Sequence, residues 1–421
     1  MPDLANSYYR ATANPAPARP PLDGEAKVDV CVVGGGYTGL SAALHLAERG
    51  YETLLLEAEQ VGFCASGRNG GQINSGLRKG ASELVSMFGR EAARRFWDLA
   101  EEAKATLRER ISRHAIACDL KGGGLYVACK KTDPAWMAQE VELTRKLFGY
   151  DAQELLDKAA LEGRLGSRRY HGAIADAGAG HLHPLNCALG LAVAAEAAGA
   201  RICEKTRALA IVPGEVKTAT GRVKARYVVL GCNAYLDGLE PRIAGKIMPI
   251  SNYIVATEPL SDSSARALIR DDAAVCDTKF VVDYFRLSAD KRLLFGGGET
   301  YSRAAPRDIA GFVRPYMLRV FPQLERTRID YAWGGQLAIT MNRLPHLGRL
   351  PGDVFFAQGY SGQGVAIATL AGKLIAEALA GTAERFDLFA RIDQRSFPGG
   401  TLLRRPALVL GMLWYALRDR L

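Results

Sequence analysis

The stretch VDVCVVGGGYTGL, residues 28–40, decides the fold. Residues 28–33 form an unbroken apolar, β-branched run, the pattern of a strand buried on both faces. Gly34-Gly35-Gly36-Tyr37-Thr38-Gly39 follows and contains Gly-x-Gly-x-x-Gly. Leu40, Ala43, Leu44 and Ala47 then recur at helical spacing, and Gly50 suits a left-handed helix stop. Residues 53–56 read as a second strand ending at Glu57, 21 residues after Gly36. Alone, the glycine pattern is weak. Between a strand and a helix, with an acid at that spacing, it predicts a dinucleotide-binding βαβ unit. Gly34 permits the tight turn, Gly36 lets backbone approach a pyrophosphate, and Gly39 lets helix and strand pack closely. The pyrophosphate is expected on the positive helix end, where Tyr37 and Thr38 open the first turn. Glu57 is expected to accept from the adenosine ribose hydroxyls.

Two further segments favour FAD over NAD. Cys64-Ala65-Ser66-Gly67-Arg68-Asn69-Gly70-Gly71-Gln72 begins seven residues after Glu57. Such a loop offers backbone N–H groups and one cation to an extended anionic cofactor, although a flexible surface loop would have the same composition. Gly359-Tyr360-Ser361-Gly362-Gln363-Gly364 lies directly before the last long helix. A glycine-lined helix start supplies partial positive charge where a reduced flavin accumulates negative charge; a plain helix cap is the bland alternative. Gly122-Gly123-Gly124 and Gly296-Gly297-Gly298 precede no helical pattern, so no second dinucleotide fingerprint is found and a nicotinamide-dependent reductase is not expected.

Composition bounds the rest. The 421 residues suffice for about two or three domains, and 48% apolar with 24% charged residues excludes disorder, collagen and coiled coil as whole-chain readings. The net charge of +9 is scattered singly, which argues against nucleic-acid binding. It reads as a solvated surface or as steering for a ligand with a carboxylate. The eight cysteines form no Cys-x-x-Cys pair and no zinc spacing, so no metal is expected and reduced thiols point to the cytoplasm. The N-terminus has no secretory pattern, and the longest apolar stretch, 407–417, is too short for a bilayer.

Outward from the fingerprint, residues 1–25 read as an extended Pro/Ala-rich arm without a core of its own. Residues 90–113, 136–148 and about 365–379 read as helices, and a further Ala-rich helix starts at Pro184. Strand-like meanders dominate the middle. The expected fold class is α/β: a Rossmann-like FAD-binding domain with an inserted, mainly antiparallel-sheet substrate domain. The expected FAD-binding segments are 26–115, 170–240 and 325–390; the substrate domain takes 116–169 and 241–324, and 391–421 forms a tail helix.

Taken together, these stretches resemble the D-amino-acid-oxidase-like FAD oxidoreductases, the group with glycine oxidase and sarcosine oxidase, and among them the gamma-glutamylputrescine oxidase branch. The resemblance also rests on Ser7-Tyr8-Tyr9, Gly180-His181-Leu182-His183-Pro184-Leu185-Asn186, Ser396-Phe397-Pro398-Gly399-Gly400 and Leu417-Arg418-Asp419-Arg420-Leu421. It implies oxidative deamination of gamma-glutamylputrescine or another amine with an anionic end, giving aldehyde, ammonia and hydrogen peroxide. The residues leave open a dehydrogenase that uses another acceptor, and a flavin-binding scaffold without turnover. No cysteine follows Cys276, and the region that matches the covalent branch reads Tyr331-Ala332-Trp333-Gly334-Gly335-Gln336, so FAD is expected to be non-covalent. The basic residues that seat the carboxylate in sarcosine and glycine oxidases have no clear counterpart.

Candidate substrate contacts are Tyr284, Arg286, Trp333 and Glu299. An aromatic wall can accept an amine cation, and Arg286 can pair with a glutamyl carboxylate. Core packing is the alternative for Tyr284, Phe285 and Trp333, and a surface ion pair for Arg286. His181 and His183 are expected near the adenine half rather than as bases, and His346 has similar status. The expected partners are the small amine and oxygen, with no nucleic acid. Residues 401–421 dock either on the body or, peripherally, on a membrane surface.

Overall fold

The computed structural model describes residues 7–300 and 306–401, and for Glu299 and Thr300 the backbone alone. The expected strand becomes Gly24–Val33, at the centre of an eight-stranded sheet. It pairs in parallel with Thr53–Leu56 on one side and Gly221–Leu230 on the other. Arg201–Cys203 and Val354–Gln358 extend the parallel run, and His346–Leu350 closes one edge antiparallel. The four-residue strand Thr53–Leu56 is wholly buried, as strands covered on both faces are. Helices Tyr37–Ala47, Pro184–Ala197 and Gly364–Leu379 cover one face and build the largest core. A Cβ on Gly372 would stand 2.5 Å from the backbone N of Ala42, so the helices Tyr37–Ala47 and Gly364–Leu379 cross with their backbones in contact.

The helix predicted over 90–113 belongs to Ala81–Arg113, and the break falls at Gly89, whose φ of 77° interrupts the helical backbone. The helix expected over 136–148 runs Asp133–Phe148 and ends on left-handed Gly149.

The second sheet has nine strands. Its main path is Ile329–Ile339, Met248–Thr257, Leu293–Thr300, Tyr284–Leu287, Ala274–Asp277, Lys121–Val127, Ala173–His181 and Gln72–Ile73, with Gln153–Leu156 beside Ala173–His181. All pairs are antiparallel except Ala274–Asp277 with Lys121–Val127. Because side chains alternate across a sheet, one face carries Leu125, Val275, Phe285 and Phe295 into a second core under helix Ile309–Val320. On the other face, Ile174, Tyr126, Cys276, Tyr284 and Gly296 stand in register across five strands. That row faces the nucleotide-binding half.

Three of the expected segment assignments change. Residues 26–115, 170–240 and 325–390 were placed with the cofactor domain, yet Gln72–Ile73, Ala173–His181 and Ile329–Ile339 are strands of the second sheet. Ile329–Ile339 pairs along its length with Met248–Thr257, and sheet continuity outweighs neighbourhood in the chain. The N-terminal arm also differs from expectation. Ser7 caps a single turn, Tyr8–Ala11, that buries Tyr8 and Tyr9. Arg19 then forks onto both oxygens of Glu196, at 2.7 and 2.8 Å. Of the expected tail, residues 402–421 lie outside the described residues, and with them the docking and membrane readings.

Candidate active site

A cavity of about 1000 Å³ runs between the two sheets. One end lies outside the carboxyl ends of Gly24–Val33, Thr53–Leu56 and Gly221–Leu230, the crevice where open α/β sheets hold ligands. Gly34 turns there with φ of 109°. A Cβ on Gly39 would lie 1.9 Å from the Gly34 carbonyl, so no other residue fits. Glu57 is buried, and its two oxygens accept from the amides of Gly35 (2.6 Å) and Glu59 (2.9 Å). Burial pushes its carboxyl pKa up while those amides pull it down. Ser66 reaches across from the loop and accepts from the Tyr37 amide at 3.0 Å, where the helix cap Gly36 has no side chain.

The loop 64–72 is fixed by its own side chains. Asn69 donates to the carbonyls of Ala65 and Ser66, and its Oδ1 accepts from the Gly71 amide. Arg68 is buried and donates to the carbonyls of Phe63 (2.7 Å) and Gly334 (3.0 Å). Gln72 donates to the Val275 carbonyl, joining the loop to the second sheet. The last helix approaches the same space through Gly359, Ser361 and Gly362, all with positive φ. Thr38 and Tyr360 share a 2.5 Å hydroxyl contact that ties the two glycine-rich segments together. The Gln363 side-chain oxygen is buried without a partner among the described residues, and the residue lines the cavity. Two helix N-termini, a preset carboxylate, a buried arginine and an orphaned amide oxygen fit an extended anionic dinucleotide such as FAD.

The other end is walled by the in-register row. Tyr284 lies between two glycines. A Cβ on Gly296 would meet its ring at 2.1 Å, and one on Gly70 at 2.8 Å. Its hydroxyl donates to Asn252 Oδ1. Tyr284 therefore stands on the cavity wall where the loop of Gly70 meets the second sheet.

Arg286 and Trp333 fall elsewhere among the described residues. Arg286 is buried outside the cavity lining, and donates to the carbonyls of Gly70, Leu182 and Leu287 and to the Tyr9 hydroxyl. It braces the loop and the arm, and its donors are turned away from any substrate carboxylate. Trp333 is buried, packs 5.2 Å from Tyr9 and donates to the Arg68 carbonyl, so it supports the loop from behind. The side chain of Glu299 lies outside the described residues; its backbone pairs with Asn252. Phe285 points into the second core, stacked on Phe295.

The histidines are also displaced from expectation. His181 contacts the Asp272 carbonyl and His183 caps helix Pro184–Ala197 beside Tyr9; neither lines the cavity. Burial holds His181 and His346 neutral, with pKa values lowered to about 3, and His183 to about 4.

Sequence reading missed the segments 206–209 and 231–239 at the adenine-side end, and Arg78, Tyr126, Trp136, Asn252, Phe280 and Arg343 at the other. One signal was present. Gly231-Cys232-Asn233 directly follows an apolar strand, as the fingerprint glycines do. The row Tyr126, Cys276, Tyr284 becomes legible only once the strand pairing is known.

Comparison with known proteins agrees with this geometry. The family model described as "FAD dependent oxidoreductase" matches residues 29–378. The gamma-glutamylputrescine oxidoreductase of Escherichia coli (strain K12) is 44% identical over 425 residues, covering 100% of both chains. Among solved structures, glycine oxidase from Geobacillus kaustophilus superposes with a TM-score of 0.72 at 23% identity, covering 85% of this chain and 95% of that one. L-proline dehydrogenase from P. horikoshii gives a TM-score of 0.70 at 21% identity, covering 86% and 94%. Among the described residues no helix is long and apolar enough to cross a membrane.

Proposed function

The chain belongs to the FAD-dependent oxidoreductase family and acts on amines, and from that premise we propose that it deaminates gamma-glutamylputrescine at the free primary amine and passes the electrons to oxygen. One observation carries the reading: a single cavity joins the cofactor cradle to the aromatic row of the second sheet. End-to-end similarity to the Escherichia coli enzyme supplies the substrate.

When bound, FAD supplies the oxidising power, accepting two electrons and a proton equivalent from the C–H next to the amine. The substrate imine takes up water and releases aldehyde and ammonia; oxygen leaves as hydrogen peroxide, so electrons and atoms balance. The chain has three tasks. Tyr284, fixed by Gly70, Gly296 and Asn252, offers a ring face that holds the amine carbon near the loop 64–72. Among the described residues no histidine lines the cavity, and the neutral fraction of the amine, formed by loss of its proton to solvent, is the form that reacts. The second sheet closes over the reacting end and limits water there. The cofactor is held without a covalent bond. The cavity-lining thiols of Cys64, Cys232 and Cys276 are kept protonated by burial, with pKa values pushed up to about 12, and the thiol form is a poor nucleophile.

The test is anaerobic addition of gamma-glutamylputrescine to the purified yellow protein. The oxidised flavin band is expected to bleach within the mixing time, and air to restore it with release of peroxide. Bleaching without recovery in air makes the protein a dehydrogenase. A band that stays yellow removes this substrate and moves the search to amino acids, N-methyl amino acids and aminophosphonates.

A further inference from the structure

We propose that Arg78 is the specificity residue that seats the substrate's carboxylate, at the end of the cavity away from the cofactor cradle. The proposal rests on the amine-oxidising reading above and names how its substrate class is selected. Among the described residues, the other cavity-lining cations are already engaged. Arg68 holds the carbonyls of Phe63 and Gly334; Lys79 pairs with Glu83 at 2.5 Å; Arg207 lies between Glu59 and Asp237; Arg343 packs on the Phe280 ring at 5.0 Å. Arg78 is half-buried, lines the cavity, and has no ion pair or hydrogen bond to any described residue. The acids described at its end of the cavity are also taken. Glu140 accepts from the Ala81 amide and the Ser82 hydroxyl, and Asp176 from the Tyr150 hydroxyl and the Gly178 amide. A guanidinium left open in a partly desolvated cleft is a ready fork for a carboxylate.

Its position sets the length of the ligand. Arg78 sits close enough to act electrostatically on both Tyr126 and Cys276, which are directly paired across neighbouring strands. Cys276 pairs in turn with Tyr284, so Tyr126 and Tyr284 are two strands apart, about 10 Å at the usual strand spacing. In gamma-glutamylputrescine, the bonds between the amine-bearing carbon and the carboxyl carbon match three extended residues, also about 10 Å. An amine carbon held at Tyr284 therefore places the glutamyl carboxylate beside Tyr126, within reach of Arg78. Amino acids, whose carboxylate is next to the amine, cannot use it.

The test uses the FAD-loaded enzyme and ligands that lack the putrescine amine. N-butyl gamma-glutamylamide keeps the glutamyl head; N-butylbutanamide has neither the carboxylate nor any amine. Binding is measured by calorimetry on the wild type, Arg78→Gln and Arg78→Lys, together with flavin content and thermal midpoint. Arg78→Gln is expected to weaken the glutamyl amide by about tenfold to a hundredfold, the range of a charge-assisted contact. Arg78→Lys should fall between, and the amide without carboxylate should bind both proteins equally weakly. Equal binding of the glutamyl amide by wild type and Arg78→Gln overturns the proposal. So does a loss of flavin or thermal stability in parallel with the loss of binding. Wild type that binds the glutamyl amide yet is not bleached by gamma-glutamylputrescine removes the oxidation reading and leaves Arg78 standing. Bleaching with undiminished binding in Arg78→Gln does the reverse.

Discussion

Arg286 joins three parts of the chain that have no local reason to meet. Its guanidinium reaches Gly70 across 216 residues, Leu182 across 104 and Tyr9 across 277. A lysine offers a point charge and cannot reproduce that fork. Arg286→Lys is therefore expected to cost about 2–4 kcal/mol, because buried carbonyls lose their donors. Chemical denaturation and the flavin-to-protein absorbance ratio check this. Affinity for amines with anionic and neutral far ends should fall alike; a loss confined to anionic ones would restore the role in carboxylate binding that the sequence suggested. The contrast with Gly39 explains what a sequence can show at this scale. The clash that requires glycine there is with Gly34, five positions away, so a short motif records it. The partners of Arg286 leave no pattern in its neighbourhood, and Arg78 becomes visible only when the cavity and its occupied cations are known.

At the scale of elements, the connection between strands Ala274–Asp277 and Tyr284–Leu287 carries an unusual charge arrangement. Asp277 and Asp283 are both buried, and Lys279 serves both, at 3.4 and 2.5 Å. Burial pushes the Asp277 carboxyl up to about 6, against the pull of Lys279. An acid raised in this way binds its proton more tightly folded than unfolded. It favours the fold below about pH 4, loses that contribution as pH rises toward 6, and leaves a penalty of about 2–3 kcal/mol above it. Asn at 277 keeps an acceptor for the amides of Lys279 and Asp283, and Lys279 keeps Asp283. Asp277→Asn is therefore expected to stabilise the protein by about 1–3 kcal/mol at pH 7.5 and by little near pH 4. Urea midpoints at the two pH values decide; a gain of equal size at both would show that Asp277 ionises normally. The same connection carries Phe280 and Val282 to the cavity, so the charge cluster sits behind the wall of the site. None of this was legible beforehand. The strands are four residues each, too short for periodicity to mark their ends.

For the whole molecule, the nucleotide-binding half was legible because its first βαβ unit, residues 24–56, is contiguous, whereas the second sheet gathers strands from 72 to 339 and its limits could not be read from contiguous segments. Both halves nevertheless share one response to acid. His45 in helix Tyr37–Ala47 and His346 in the edge strand belong to the nucleotide-binding half, and His181 and His183 sit where the second sheet meets helix Pro184–Ala197. Burial lowers their pKa values to about 3, 3, 3 and 4 respectively. Each stays neutral while folded and takes up a proton on unfolding below about pH 6.5. Their contribution is intact above that pH and is lost as pH falls toward 4. Asp277 opposes them, as do the carboxyls of Glu57, Asp272 and Asp283, which burial also raises. The imidazoles make stability fall as pH drops from 6 to 4.5, by at most about 5 kcal/mol per pH unit, and the raised carboxyls make the slope smaller. Urea midpoints across that range, at constant m-value, measure the slope. Replacing His346 by Asn should reduce it by about 1.4 kcal/mol per pH unit if its imidazole titrates independently in the unfolded chain. A flat profile from pH 7 to 5 would require most of these imidazoles to hold protons inside the folded cores, where burial leaves the positive charge no solvent to stabilise it.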